Sequence, residues 1–164
     1  MAFARVGADV VISSRKQDAC ESLAKEVERE TGQRALAVGA HVADWNAMDD
    51  LAAKALDNFG HVDVLVNNAG MSLLYDDIRS VDESHYDKVM DVNLKGPFRL
   101  SAAFGKRMFD SEGGSIINVS SVAAVEPTPN EKRKSREDTF LFLCFFGGSR
   151  RFFGVSLVAA EARL

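Results

Sequence analysis

The sequence is poor in the features that define several large protein classes. Its 164 residues hold two cysteines, Cys20 and Cys144. They lie far apart, with no CxxC pair and no histidine at zinc-finger spacing beside either, so neither a disulfide framework nor a structural zinc site is expected. No run approaches the roughly 20 apolar residues of a membrane span. The opening MAFARVGADVVISSRK lacks the basic n-region, long apolar h-region and cleavage site of a secretory leader. Positive charge is not in excess either: a net charge of −4 offers no general attraction to phosphate backbones or anionic membranes. The expectation is a reduced, soluble, cytoplasmic chain with neither nucleic acid nor membrane as a partner.

What is present reads as one α/β domain. ADVVIS (8–13) is a short β-branched run, and the helical stretch after it repeats apolar positions at Cys20, Leu23, Ala24 and Val27. Gly32 ends that helix, RALAVGAHV supplies a second strand, and Met48, Leu51, Ala52, Ala55, Leu56 and Phe59 mark the next helical face before Gly60. HVDVLVNNAG is a third strand entering a turn. Ser80 to Glu83 matches a capping box opening a helix through Tyr86, Val89, Met90 and Asn93, which Gly96-Pro97 interrupts or kinks. A further helical stretch, PFRLSAAFGKRMF, leads through Gly113-Gly114 into a fourth strand, GSIINVSS. Strands alternating with helices imply a parallel sheet covered on both faces, which binds ligands beyond the carboxyl ends of its strands.

Two stretches break this regularity. AFARVGADV at the start reads as the last turns of a helix leading into a strand. After Asn130, EKRKSRED is almost wholly charged, and six of the eleven phenylalanines crowd into the final 25 positions, Phe140 to Phe153. The boundaries drawn are therefore 1–130, a partial dinucleotide-binding domain, and 131–164, an atypical charged and then Phe-rich tail. The tail is either a linker with an apolar hairpin or helix, or a foreign segment from altered splicing, a frame change or a gene-model error.

Four ordered motifs, VVISSR, VNNAG, DVNLKGPF and GGSIINVSS, resemble the short-chain dehydrogenase/reductase family over about residues 2 to 129. The resemblance implies a Rossmann-like doubly wound parallel sheet, here lacking the family's first strand and its glycine-rich TGxxxGxG turn. It also implies hydride transfer between an alcohol and a ketone or aldehyde. Ser14 and Arg15 stand where the second strand reaches the adenosine ribose; a guanidinium with a small hydroxyl can pair a 2′-phosphate, favouring NADP over NAD. Otherwise Arg15 is a solvated helix-start residue. His41 stands where the family usually has an aspartate that meets the adenine amino group. It is either an adenine contact or an exposed loop histidine, and Val42 would form the ring's wall. Asn68, Ala69 and Gly70 would line the nicotinamide ribose side, while Asn67 and Asn68 also tie neighbouring strands. Asn93 is expected to offer its backbone carbonyl to a water of the proton relay, or else to cap the kinked turn. Ser121, the second serine of its motif, would polarise the substrate carbonyl.

The family's proton donor is the tyrosine of a YxxxK pair some dozen residues after that serine. The chain has only Tyr75 and Tyr86, both before Ser121. Lys134 and Asp138 stand where the pair would be. An unperturbed lysine near 10.4 is no better matched to neutral pH than tyrosine near 10.

Two function classes follow. One is an NADP-dependent oxidoreductase with impaired turnover and a small carbonyl or alcohol substrate. The other is a non-catalytic truncated or spliced product, inert or assembling as a homo- or hetero-oligomer with full-length family members. A third reading, a basic-apolar membrane anchor in the tail, meets an apolar run too short to span. The first strand's vacancy in the sheet is expected to be covered or occupied by Thr139 to Phe146, unless the tail is merely an aggregation-prone stretch.

Overall fold

The structure, a computed structural model, describes residues 1–72, 75, 77–121, 139–144 and 156–160, with Ser121 and the last two segments as backbone strands. A short helix α1 (Ala2–Arg5) leads into β1 (Asp9–Ser14), α2 (Gln17–Thr31), β2 (Ala35–Gly39), α3 (Trp45–Phe59) and β3 (Val64–Asn67). A single 3-10 turn (Ile78–Ser80) precedes α4 (Glu83–Met90), a π-helical segment (Asp91–Lys95) and α5 (Gly96–Asp110). β4 (Ser115–Ser121), β5 (Thr139–Cys144) and β6 (Ser156–Ala160) complete the described elements.

The helix faces follow from apolar spacing. α2 buries Cys20, Ala24 and Val27, and it stops at Gly32, whose left-handed φ of 72° turns its N–H back to the Glu28 carbonyl. α3 starts at Asp44, whose side chain accepts the Ala47 N–H, and buries Met48, Leu51, Ala52, Ala55 and Phe59. These pack with Leu100, Phe104 and Met108 of α5 and with Val11, Val38 and Leu65 of the sheet. The opposite sheet face meets Ala4, Ala8 and Val27, through Val10 with Ile12, Val64 and Val66 packed beside it. Neighbouring strand residues such as Val10 and Val11 thus serve opposite faces, as the period-2 geometry of a strand requires. Each large core side chain contributes about 2 kcal/mol by burial.

The sheet order is β2-β1-β6-β3-β4-β5. β6 pairs in parallel with β1 on one side, Val11 opposite Val158, and with β3 on the other, Leu65 opposite Val158. The vacancy expected between β1 and β3 is therefore occupied, but by residues 156–160 and not by Thr139 to Phe146. Six of those residues form β5, which runs antiparallel on the outer edge of β4, with Ser121 opposite Thr139 and Ile116 opposite Cys144. The reason is topological. β5 runs antiparallel, so Cys144 lies opposite Ile116 near the start of β4, at the end of the sheet where the parallel strands begin, and Ser156 opens β6 at that same end, opposite Asp9. The sheet is consequently parallel except at the β5 edge. Among the described residues no helix is long and apolar enough to cross a membrane.

The start of α4 also corrects the sequence reading. Asp82, not Ser80, is the cap: its carboxylate accepts the His85 N–H at 2.8 Å, while the Ser80 hydroxyl donates to the Asp77 carbonyl at 2.6 Å. Gly96-Pro97 does not end the helix. The irregularity falls one turn earlier, where the Gly96 N–H reaches back five residues to the Asp91 carbonyl.

Candidate functional site

The carboxyl ends of β1, β2 and β3 open into a cavity of about 240 Å³. Ser14 and Arg15 follow from β1, His41 and Val42 from the loop after β2, Ala69 and Gly70 from the turn after β3, and all six line it. Asn68, grouped with them from sequence, does not. Its neighbour Asn67 does the bridging that was expected of both: buried on β3, it donates to the Asn118 side chain on β4 at 2.9 Å and to Ser101 of α5 at 3.2 Å. The paired amides satisfy one another where water is excluded.

Each loop of the cavity is tied to something rigid. The Ser14 hydroxyl accepts the Lys16 N–H at 3.2 Å, closing the turn into α2. The His41 Nδ1 accepts the Ala43 N–H at 3.1 Å, which folds the loop as an Asx turn would. Val42 lies directly against the start of α5: a β-carbon built on Gly96 would come within 2.1 Å of the Val42 carbonyl oxygen. Only glycine permits that approach.

Asn93 holds the turn after β3. Its side-chain oxygen accepts the Met71 N–H at 2.8 Å, and its amide donates to the Met71 carbonyl at 2.8 Å. The two bonds position Gly70 and Met71 at the cavity wall. The backbone carbonyl of Asn93 has a separate peculiarity. Its α-helical donor would be residue 97, and Pro97 has no N–H.

Lys88, Asp91 and Val92 also line the cavity and were not singled out from sequence. Their spacing of three and four places them on one helical face, which was the signal available. Asp91 is paired with Lys95 at 2.6 Å. The cap beneath them is electrostatically settled. The His85 backbone N–H, with the Ser84 hydroxyl, holds the Asp82 carboxyl below its ordinary range. On the outer surface, Arg99 stacks over Trp45 at 4.6 Å and donates to Asp49 at 2.5 and 2.7 Å, which raises the guanidinium's pKa further.

Ser121 ends β4 on the same edge of the sheet, level with Thr139 of β5, and its side chain lies outside the described residues. Lys134 and Asp138 lie outside them altogether. Among the described residues no group of histidine, cysteine and carboxylate side chains could hold a metal ion.

A parallel sheet with a cavity over the carboxyl ends of its strands, walled by small residues and flanked by an arginine, is the place where open α/β folds bind ligands. Residues 1–132 match the family model for short chain dehydrogenase, and the chain belongs to that family. It is 35% identical over 127 residues to dehydrogenase/reductase SDR family member 4 of Homo sapiens, covering 77% of this chain and 45% of that protein. L-sorbose reductase from Gluconobacter frateurii, solved with NADPH and L-sorbose, superposes with a TM-score of 0.75 at 28% identity, over 80% of this chain and 49% of that one. A metagenomic short-chain oxidoreductase in complex with NADP gives 0.72 at 30% identity, over 78% and 57%. The chain spans about half the length of the relatives it matches.

Proposed function

We propose that the cavity holds the adenosine end of an NADP-type dinucleotide. The family reaction, hydride transfer between an alcohol and a ketone or aldehyde, would proceed here at a reduced rate. The observation that carries the reading is the convergence of Ser14, Arg15, His41, Val42, Ala69 and Gly70 on one cavity. The lining fits such a group: Ala69, Gly70 and Val42 leave room for flat apolar rings, and an arginine and a serine, Arg15 and Ser14, in the same lining suit a 2′-phosphate. When bound, the nicotinamide supplies the hydride. The chain's own part is to orient it, with Ser121 polarising the carbonyl oxygen and the Asn93 carbonyl, at the π-helical segment, holding a water. No YxxxK pair occurs in the 164 residues, and loss of such acid-base help costs about 10²- to 10⁴-fold in rate.

Titration of the purified chain with NADPH and NADH, followed by fluorescence, tests the reading. Saturable NADPH binding with weaker NADH binding is expected. Arg15→Ala should lower NADPH affinity by about tenfold or more while leaving NADH little changed, since charge-assisted hydrogen bonds contribute roughly 1.5–3 kcal/mol. Absence of saturation, or equal response to both nucleotides, overturns it.

One observation favours a second reading, a non-catalytic protein that is inert or associates with full-length subunits. The central strand of such a sheet carries the glycine-rich phosphate turn, yet the residues following β6 are Glu161, Ala162, Arg163 and Leu164, without a glycine. Size-exclusion chromatography with a full-length relative separates the cases; two independent peaks argue against mixed assembly.

A further inference from the structure

The opposite end of the sheet carries a second cavity, of about 470 Å³, below the starts of β3 and β4. Its lining includes His61 and Asp63 on the approach to β3, Arg107 and Asp110 in the last turn of α5, and Glu112 in the turn before β4. The Ser115 N–H donates to the Asp63 carbonyl at 2.7 Å and the Gly113 N–H to the Met108 carbonyl at 3.1 Å, so both loops are fixed. Three carboxylates thus stand with one arginine and one histidine. The carboxyl termini of α3 and α5 meet there as well, and their last carbonyls add partial negative charge. His61 Nε2 lies 3.3 Å from the Asp63 carboxylate, and Lys106 pairs with Asp110. A carboxylate can accept about four hydrogen bonds, so neither pair saturates the acid it engages.

The chain itself has to cross this place. Cys144, closing β5, and Ser156, opening β6, both lie at the end where the parallel strands begin, with β4 and β3 between them. The crossing covers three strand intervals, about 14 Å, whereas the residues that make it, 145–155, could reach about 36 Å if extended. Their sequence, FFGGSRRFFGV, holds two arginines at its middle and no acidic residue. The middle of the crossing falls below β3 and β4, where the acidic cavity opens. A guanidinium suits that lining, because its planar fork bonds a carboxylate through two N–H groups. We propose that the cavity is the seat of this connection, with Arg150 and Arg151 engaging its carboxylates and thereby tethering β6 in the slot between β1 and β3. The tether is ionic and therefore sensitive to salt.

Trypsin, which cuts after arginine and lysine, tests the proposal on the full chain with cleavage sites read by mass spectrometry. Cleavage after Arg150 or Arg151 should be at least about tenfold slower than in the isolated peptide 145–155, because a seated segment must first open. Asp63→Asn with Glu112→Gln, which adds no new site, should speed it by about fivefold, the worth of one or two partly exposed ion pairs. Cleavage after Lys54, inside α3, should stay unchanged and so report that the fold is intact. Should the double variant lose that protection, salt serves instead. Raising it from about 0.05 to 0.5 M should speed cleavage of the native chain at Arg150 and Arg151, relative to the free peptide, more than at Lys54. Cleavage of the native chain as fast as the free peptide overturns the proposal. Protection that neither the variant nor salt relieves overturns it equally.

Discussion

The two ends of the cleft are held by different means. At the cavity end each loop is fastened by a close contact to a helix or to itself: His41 to Ala43, Val42 to Gly96, Asn93 to Met71. At the other end Ser121 closes strand β4, which is flanked by β3 on one side and by antiparallel β5 on the other. Under the proposed function, an end fastened by such contacts keeps its shape when the other end is altered, so nucleotide affinity and turnover should be separable. Among the described strands β6 alone joins β1 to β3 and so links the two parts of the sheet.

The largest effect should therefore come from β6. Val158→Pro removes a ladder N–H in the middle of the sheet and is expected to abolish cooperative unfolding in a circular-dichroism melt. The same change at Leu141, in edge strand β5, should cost much less; equal losses would break the contrast between a central and a peripheral tail strand. Next comes Gly96→Ala, whose β-carbon overlaps the Val42 backbone. Overpacking of this kind costs about 1–3 kcal/mol, so a lowered melting temperature should accompany weaker nucleotide binding. An unaltered melt would mean that the loop yields freely. Asn93→Ala loses both bonds to Met71, about 1 kcal/mol apiece. Asn93→Asp keeps the acceptor and should recover part of the loss, which a merely space-filling role would not show.

The smallest effect concerns the α4 cap and depends on pH. The Asp82 carboxyl sits below its ordinary value of 3.8 because the His85 N–H and the Ser84 hydroxyl favour the charged form. A depressed folded-state value means the stabilisation is complete above 3.8 and fades as pH falls through the lower value. Asp82→Ala should accordingly be less stable than the native chain near neutral pH, with the gap closing under strong acid in parallel thermal melts. A gap independent of pH would assign the cap's effect to something other than its charge.

Helix periodicity made α2, α3 and α5 legible in the sequence, because their buried faces recur every three or four residues. The cavity residues after β1, β2 and β3 were legible for a related reason: strand ends in an alternating pattern bring their following loops to one edge. What stayed hidden was set by distant partners. SLVAA is too short and too ordinary to announce a central strand, and the longer run from Thr139 to Phe146 was assigned that place for its apolarity and strand length. The cap at Asp82 and the π-helical segment at Asp91–Lys95 both depend on which backbone groups compete for a donor, a contest that spacing alone does not decide. Asn68 was grouped with its neighbours by motif, yet it is not among the residues that line the cavity with Ala69 and Gly70.

The pairing of Asp9 with Ser156 joins residues about 150 apart in sequence. Until it forms, β1 and β3 each present an open edge, and two half-sheets must wait for the same short strand. Non-local closure of this sort slows the search for the native state and leaves paired-edge association as its chief competitor. Yield on refolding should therefore depend steeply on protein concentration, with dilution favouring the closed sheet over aggregates stitched together through the slot that β6 fills.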